Sequence, residues 1–152
     1  MKSKMNAVLF YRDGSPDVLQ FKEVKKPTPK ENEILLKIRA AAVTMGDCEM
    51  RSPEIPSWTW FMARLYFGLR KPRKKILGIY FAGEIESIGH AVKSFKKGDQ
   101  LFGISPVFGA HAEYICLSDK NALTKLPANM SYEEAAPVGL GLDSLYFLNK
   151  AN

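Results

Sequence analysis

The length, composition and charge of the chain limit the classes of protein to which it can belong. Its 152 residues, 46% hydrophobic and 25% charged, suffice for one globular domain with its own core. No apolar run approaches the roughly 18 residues of a membrane span, and the first residues lack the apolar stretch of a secretory signal, so we expect a cytoplasmic protein. The two cysteines, Cys48 and Cys116, cannot form a closed metal site alone.

The formal charge of +6 comes partly from the run RKPRKK at residues 70–75. This positive charge would permit an acidic partner. A solvated loop is nevertheless the commoner state of such a run, and no nucleic-acid-binding motif accompanies it. We therefore expect neither a nucleic acid nor a membrane as partner.

Alternating apolar and polar residues predict three strands in the first part of the chain, at 5–11, 18–24 and 33–43. The proline-broken connection KKPTPKEN separates the second strand from the third. No strand is expected to continue through this connection.

A helical pattern follows Thr44. The stretch MGDCEMR at 45–51 favours a short helix, and residues 57–68 favour an amphipathic helix that places Trp58 and Phe61 on one face. These aromatic side chains could line a substrate pocket or simply cover one end of a barrel. Both interpretations remain open at this point.

Short strands separated by glycine-containing turns return from Phe81 onward, and they are predicted at 81–89, 100–104, 110–117 and 121–127. Ser131, three residues before Glu134, predicts a capping box that begins a helix. Another helical pattern, at 141–152, runs to the end of the chain. The whole predicts a mainly β domain with short helices, built as a barrel or a sandwich.

The glycines around the fourth strand do not form a phosphate-binding motif. Gly78, Gly83 and Gly89 are spaced by five and six residues, unlike the G-x-G-x-x-G of dinucleotide-binding domains. We expect Gly83 to permit a close strand approach, and Gly89 and Gly98 to occupy turns with positive φ.

Several stretches together resemble the medium-chain dehydrogenase/reductase superfamily, namely 5–43, 76–103, 109–117 and 126–148. The resemblance is to its zinc-free quinone-reductase-like and NAD(P)-dependent alcohol-dehydrogenase-like members. It implies a GroES-like catalytic domain, a distorted β-barrel over residues 1–130, and helices over 131–152. These helices would lie at the junction to a Rossmann domain that the chain lacks.

The resemblance also implies where a catalytic zinc would be bound in zinc-containing members. The corresponding positions here are Thr44, Ile79 and Gly139, and none supplies a good zinc ligand. We therefore predict no metal. Tyr80 stands where zinc-free relatives usually have an acidic residue.

Candidate site residues follow from the same resemblance. Thr44 is the first candidate to polarise a substrate carbonyl, because its position faces the nicotinamide in the family, and Tyr80 offers a phenolic hydroxyl. Asp47 completes the catalytic set and is predicted to pair with Arg51 one helical turn later. Thr44 and Gly139 are the candidates for contact with the cofactor.

Two functions are compatible with these residues. The first is the catalytic-domain portion of an NAD(P)H-dependent, zinc-independent oxidoreductase that reduces a quinone, an enone or a small carbonyl by hydride transfer. NADP or NAD would be held by the full-length protein, which could be a homo-oligomer, and this chain alone is expected to be inactive. The alternative is a free-standing, non-catalytic binding module that uses the basic loop and the aromatic helix.

Overall fold

The structure is a computed structural model that describes residues 3–52 and 75–150, with the backbone alone for 142–150. Its strands are β1 Lys4–Leu9, β2 Gln20–Lys25, β3 Glu33–Ala41, β4 Tyr80–Ile88, β5 Gln100–Ile104, β6 Tyr114–Ser118 and β7 Leu123–Lys125. Its helices are α1 Met45–Arg51 and α2 Tyr132–Lys150, and a single 3-10 turn spans Pro16–Val18. The predicted mainly β fold with short helices is confirmed.

The strands form two antiparallel sheets. Strands β1 and β2 pair with each other, and the second sheet has five strands in the order β6-β3-β4-β5-β7. A single bridge between Ala7 and Ala112 connects β1 to the segment before β6. Strand β3 therefore lies between β4 and β6, and β4 lies between β3 and β5, so that residues far apart in the sequence become neighbours.

The main core lies on one face of the five-stranded sheet. Its most deeply buried side chains alternate along β3, β4 and β5, as period-two strands require, and they are Ile34, Leu36, Phe81, Ile85 and Leu101. Full burial of a side chain of this size contributes roughly 1.5–3 kcal/mol. On the other face, Ala135 and Ala136 of α2 pack against Ala82 and Phe102.

Three glycines behave differently from one another in the sheet and its turns. A Cβ at Gly83 would lie 2.2 Å from the carbonyl oxygen of Lys37, which confirms the predicted close strand approach. Gly98 has φ +86°, as expected for its turn. The prediction of a positive φ for Gly89 is wrong: the residue is glycine because a Cβ would lie 2.0 Å from the carbonyl oxygen of Lys30.

Helix boundaries follow local signals closely. Helix α1 covers the predicted 45–51, and the capping box of α2 is formed because Ser131 N donates to Glu134 Oε2 at 2.9 Å and Glu134 N donates to Ser131 Oγ at 3.2 Å. The two helical patterns after residue 130 form one continuous helix. In the described ranges no helix is long and apolar enough to span a membrane.

A lysine connects the two sheets. Lys26, just after β2, donates to Glu86 Oε1 of β4 at 2.5 Å and places its Nζ 3.6 Å from the ring centre of Tyr114 in β6. Burial lowers the pKa of Lys26, but the hydrogen bond to Glu86 and the electrostatic effects of Tyr114 and Glu86 together outweigh it, so the pKa is raised overall. The hydrogen bond from Lys26 lowers the pKa of Glu86. Both groups are therefore held in their charged forms.

Candidate active site

The N-terminus of α1 is joined to the loop before β4 through one buried carboxylate. Asp47 is only 4% exposed. Its Oδ2 accepts hydrogen bonds from the backbone N of Thr44 at 2.9 Å and from Thr44 Oγ1 at 3.0 Å. Its Oδ1 accepts the backbone N–H of Gly78 at 2.9 Å. The predicted catalytic residue Asp47 thus fixes Thr44 and Gly78 relative to each other.

Gly78 is required at its position by both conformation and space. Its φ is +91°, in the left-handed region that L side chains rarely adopt. A Cβ would lie 2.6 Å from Cδ2 of His111 and 2.7 Å from the backbone N of the same residue. Any larger residue at position 78 would therefore displace the segment before β6.

The other end of α1 is anchored to the loop between β1 and β2. Arg51 donates through Nη1 to the carbonyl oxygen of Gly14, and Gly14 N donates to the carbonyl oxygen of Arg51 at 3.1 Å. Within the part of the chain that the structure describes, Arg51 therefore makes this contact rather than the predicted ion pair with Asp47. The carboxylate of Asp47 is hydrogen-bonded by N–H and O–H donors instead of being paired with a guanidinium.

Tyr80 and Gly139, both predicted from the resemblance, lie next to each other. Tyr80 is buried at the start of β4, and its carbonyl oxygen accepts Ala42 N at 3.0 Å. A Cβ at Gly139 would lie 3.0 Å from Cδ1 of Tyr80 and 3.1 Å from the carbonyl oxygen of Gly103. The missing side chain of Gly139 thus lets α2 pack on Tyr80. Contact of Gly139 with a cofactor and a catalytic role for Tyr80 stay predictions.

The turn at residues 105–109 is a part of this region that sequence reasoning treated only as a strand connection. Ser105 N donates to the carbonyl oxygen of Ile79 at 2.7 Å, and Ser105 Oγ donates to the carbonyl oxygen of Phe108 at 2.6 Å. Phe108 has φ +61°, which is uncommon for a bulky residue. In the sequence, Ser-Pro at the start and Phe-Gly at the end predict a tight turn. They do not predict its contact with Ile79, because that contact depends on the pairing of β4 with β5.

A groove of about 500 Å³ opens between the end of β3 and the beginning of α2, and its lining consists of Arg39, Ala40, Ala41, Ala42, Val43, Glu133, Ala136 and Pro137. Val43 and Met45 are each 74% exposed, and they flank the half-buried Thr44 on either side. Leu140 of α2 is 58% exposed. The groove thus combines small apolar residues with one arginine and one glutamate, and Thr44 follows its lining residue Val43 in the chain.

Metal-binding side chains do not cluster in the part of the chain that is described. No group of three or more His, Cys, Asp or Glu residues there could hold a metal ion. Of the three positions implied by the resemblance, Thr44 and Gly139 lie in the region just described, and the carbonyl oxygen of Ile79 accepts the backbone N–H of Ser105. The absence of zinc stays a prediction. Trp58 and Phe61, the predicted pocket residues, lie outside the described residues.

The mainly β fold, with a groove between the end of β3 and the beginning of α2, is the architecture of a GroES-like domain. The chain matches the alcohol dehydrogenase GroES-like domain over residues 30–128, and it belongs to that family.

Individual relatives agree with this family. The chain is 33% identical to the quinone oxidoreductase of Lama guanicoe, covering 93% of this chain and 39% of the relative. It is 32% identical to quinone oxidoreductase 1 of Escherichia coli, with the same coverage of 93% and 39%. The chain thus spans about two fifths of the length of these curated relatives.

Solved structures give the same result. The quinone oxidoreductase of Coxiella burnetii superposes with a TM-score of 0.77 at 28% identity, covering 97% of this chain and 45% of that protein. The Escherichia coli quinone oxidoreductase complexed with NADPH superposes with a TM-score of 0.75 at 28% identity, covering 96% and 41%. The predicted membership of the quinone-reductase-like branch of the medium-chain dehydrogenase/reductase superfamily is confirmed.

Proposed function

We propose that the chain provides the catalytic-domain part of an NAD(P)H-dependent, zinc-independent oxidoreductase that reduces a quinone, an enone or a small carbonyl. The observation that carries the proposal is the position of Thr44, a half-buried residue held by Asp47 and adjacent in sequence to the exposed residues Val43 and Met45. The relatives named above support the reaction class, and the NADPH complex of one of them supports NADPH as the cofactor.

The residues at this edge fit a nicotinamide ring. Val43 and Met45 offer exposed apolar surface to a flat ring, and Thr44 offers one polar contact to its substituent. A bound nicotinamide cofactor supplies the hydride, whereas the protein supplies placement and the exclusion of water. In this proposal Asp47 and Gly78 keep Thr44 in place.

The division of the chain supports the same proposal. Residues 1–130 would form the barrel, and the helix that follows would contact a nucleotide-binding domain. Ala135 and Ala136 pack α2 onto the sheet, while Val138 and Leu140 remain exposed. Exposed apolar side chains on a helix suit contact with a further domain. Turnover would therefore require more than this chain.

An oxidation assay tests the proposal. The product of the full native gene is purified, and the oxidation of NADPH and NADH is followed with a quinone and an enone, with and without a chelator. We expect oxidation that survives the chelator and falls in Thr44→Val. The matched control is Thr124→Val, an exposed threonine in β7, which should leave the rate unchanged.

The competing proposal of a binding module depends on segments outside the described residues. Residues 57–68 and 70–74 would have to form its surface, so no described contact favours it. A gene product that binds neither dinucleotide would refute the reductase proposal and leave the binding module as the better explanation.

A further inference from the structure

We propose that the outer edge of β2 is a docking site for an extended, acidic segment of a partner protein, which joins the two-stranded sheet as a third strand. This inference goes beyond the proposed function and does not depend on it. It concerns β2, which contributes no residue to the groove between β3 and α2.

The first step is the direction of the backbone groups of β2. Lys26, one residue past β2, donates its N–H to the carbonyl oxygen of Ser3 at 3.0 Å, so this residue bonds toward β1. Backbone groups alternate in direction along an antiparallel strand. The N–H and C=O groups of Phe21, Glu23 and Lys25 therefore face away from β1.

The bonds on the other side of β1 give the same assignment. Val8, opposite Phe21, donates its N–H to the segment before β6. Asn6, opposite Glu23, accepts an N–H from the same segment. Among the residues that the structure describes, no strand pairs with the outer edge of β2. This edge therefore presents backbone donors and acceptors to a further strand.

The second step is the exposure of the side chains. Every residue of β2 is exposed except the half-buried Val24, and Phe21 is 74% exposed. Phe21 lies on the face of the hairpin that is directed away from the buried residues Met5 and Ala7 of β1. An apolar side chain on the added strand would cover Phe21.

The third step is the charge of the edge. Glu23, the one acidic residue of β2, is already bound by Lys4 Nζ at 2.7 Å. Lys22 and Lys25 are both exposed. Carboxylates opposite these two lysines would form cross-strand pairs of opposite charge, which stabilise a sheet. The edge therefore favours an acidic strand over a neutral or basic one.

A further cation lies close to Lys22. The Nζ atoms of Lys22 and Lys75 lie 5.1 Å and 5.2 Å from the ring centre of Tyr11. Phe10 N donates to the carbonyl oxygen of Lys75 at 2.9 Å, which holds Lys75 against the end of β1. Two ammonium groups thus converge on one ring, and both attract a carboxylate opposite Lys22.

A second copy of the chain is the less suitable occupant. When β2 pairs with itself, the residues whose backbone faces outward must be opposite each other. The two antiparallel registers with the longest overlap then place Lys22 opposite Lys22 or Glu23 opposite Glu23. Like charges in this position destabilise a sheet, and lysines on an edge strand discourage pairing between copies. An acidic strand avoids this repulsion.

Binding of a synthetic peptide to the product of the full native gene tests the proposal. The probe is the acetylated and amidated peptide Thr-Glu-Thr-Thr-Glu-Val-Thr. In antiparallel orientation it places its glutamates opposite Lys25 and Lys22 and its valine opposite Phe21. Fluorescence anisotropy of the labelled peptide measures the dissociation constant. We expect saturable binding that weakens as salt is added, and no binding of the same peptide with lysine in place of glutamate.

Two N-methylated peptides test the backbone pairing without changing the protein. Methylation of the fourth peptide nitrogen removes the N–H that faces Glu23, so binding should weaken by roughly tenfold. Methylation of the third nitrogen alters a group that faces solvent, so binding should be unchanged. Equal affinities of the two methylated peptides overturn the inference.

Charge-reversal variants test the two cations. Lys22→Glu and Lys75→Glu should each weaken binding by roughly three- to tenfold, because attraction is replaced by repulsion. The matched control is Lys93→Glu, an exposed lysine outside β2, which should leave binding unchanged. Equal weakening in all three variants would show a general attraction between charges and overturns the inference.

Sedimentation analysis of the same gene product decides between the occupants. We expect the peptide to bind without changing the oligomeric state. A dimer that the peptide dissociates would assign the edge to a second copy and overturn the acidic-partner proposal, as would the absence of peptide binding to wild type.

Discussion

Replacing Gly78 by alanine tests how the site is built. Gly78 has φ +91°, and the added Cβ would meet His111 at 2.6 Å from Cδ2 and 2.7 Å from the backbone N. The positive φ costs an L residue about 1–2 kcal/mol, because it lies in the left-handed region. The second effect is overpacking against backbone, which costs about 1–3 kcal/mol more. We therefore expect Gly78→Ala to lower the free energy of unfolding by roughly 2–5 kcal/mol.

Gly98→Ala is the matched control for the conformational part. Gly98 has φ +86°, close to that of Gly78, but no atom lies within 4 Å of an added Cβ. Its substitution should therefore cost only the conformational term of about 1–2 kcal/mol. The difference between the two variants measures the steric contacts of the added Cβ, which are with His111 and with the backbone of Ala110.

Urea denaturation followed by circular dichroism gives both free energies of unfolding from the shift of the midpoint at constant slope. Equal losses in Gly78→Ala and Gly98→Ala would refute the reasoning, because the contact with His111 would then carry no energy. We also expect Gly78→Ala to weaken any ligand binding that depends on Thr44, since Asp47 bonds both residues.

Three other predictions concern distinct parts of the fold. The hydrogen bond from Lys26 lowers the pKa of Glu86 below its ordinary value of 4.5, so this pair stabilises the fold above that pH and the contribution is lost as the pH falls through the lowered pKa. Lys26→Met should flatten the pH dependence of the urea midpoint in that range, and an unchanged profile would contradict this account. Burial raises the pKa of Cys116 to about 11, so mass spectrometry should find it unalkylated by iodoacetamide at neutral pH, whereas the exposed cysteine of α1 reacts. Gly139→Ala should lower the free energy of unfolding by about 1–3 kcal/mol, because the added Cβ would contact Tyr80 and Gly103. Gly141→Ala should raise it by about 0.5–1 kcal/mol, because the space around the added Cβ is open. Urea midpoints that move in the same direction in both variants would show the packing argument to be wrong.

Local patterns in the sequence predicted the elements of this fold well. The strand at 100–104 and the helix at 45–51 have the predicted bounds, because each is limited by turn or capping residues that act within a few positions. The strand predicted at 110–117 begins later, at Tyr114, because Ala110 and His111 bond to the loop around Gly78 and Ala112 bridges Ala7 of β1. Such bonds depend on the tertiary arrangement and leave no local signal.

The contacts of the candidate site residues could not be predicted from the sequence. Thr44 and Asp47 were recognised from the resemblance, yet the partner expected for Asp47 was Arg51, which lies one turn later on α1. The observed partner, Gly78, is far away in the sequence. It donates through its backbone N–H, a group that every residue except proline has, so the residue type does not predict this hydrogen bond. The role of Gly89 was misassigned for a related reason, since a close approach to another backbone cannot be seen from one segment.

The strand order has a consequence for the synthesis of the chain. Strand β3 pairs on one side with β4 and on the other with β6, where Glu33 is opposite Ser118. A nascent chain on the ribosome therefore carries β3 with one bare side until Ser118 has emerged. Long-range pairings of this kind slow folding, and uncovered strand edges promote association between chains. Translation pauses that keep residues 114–118 inside the ribosome would thus expose this bare side of β3 to association with other chains.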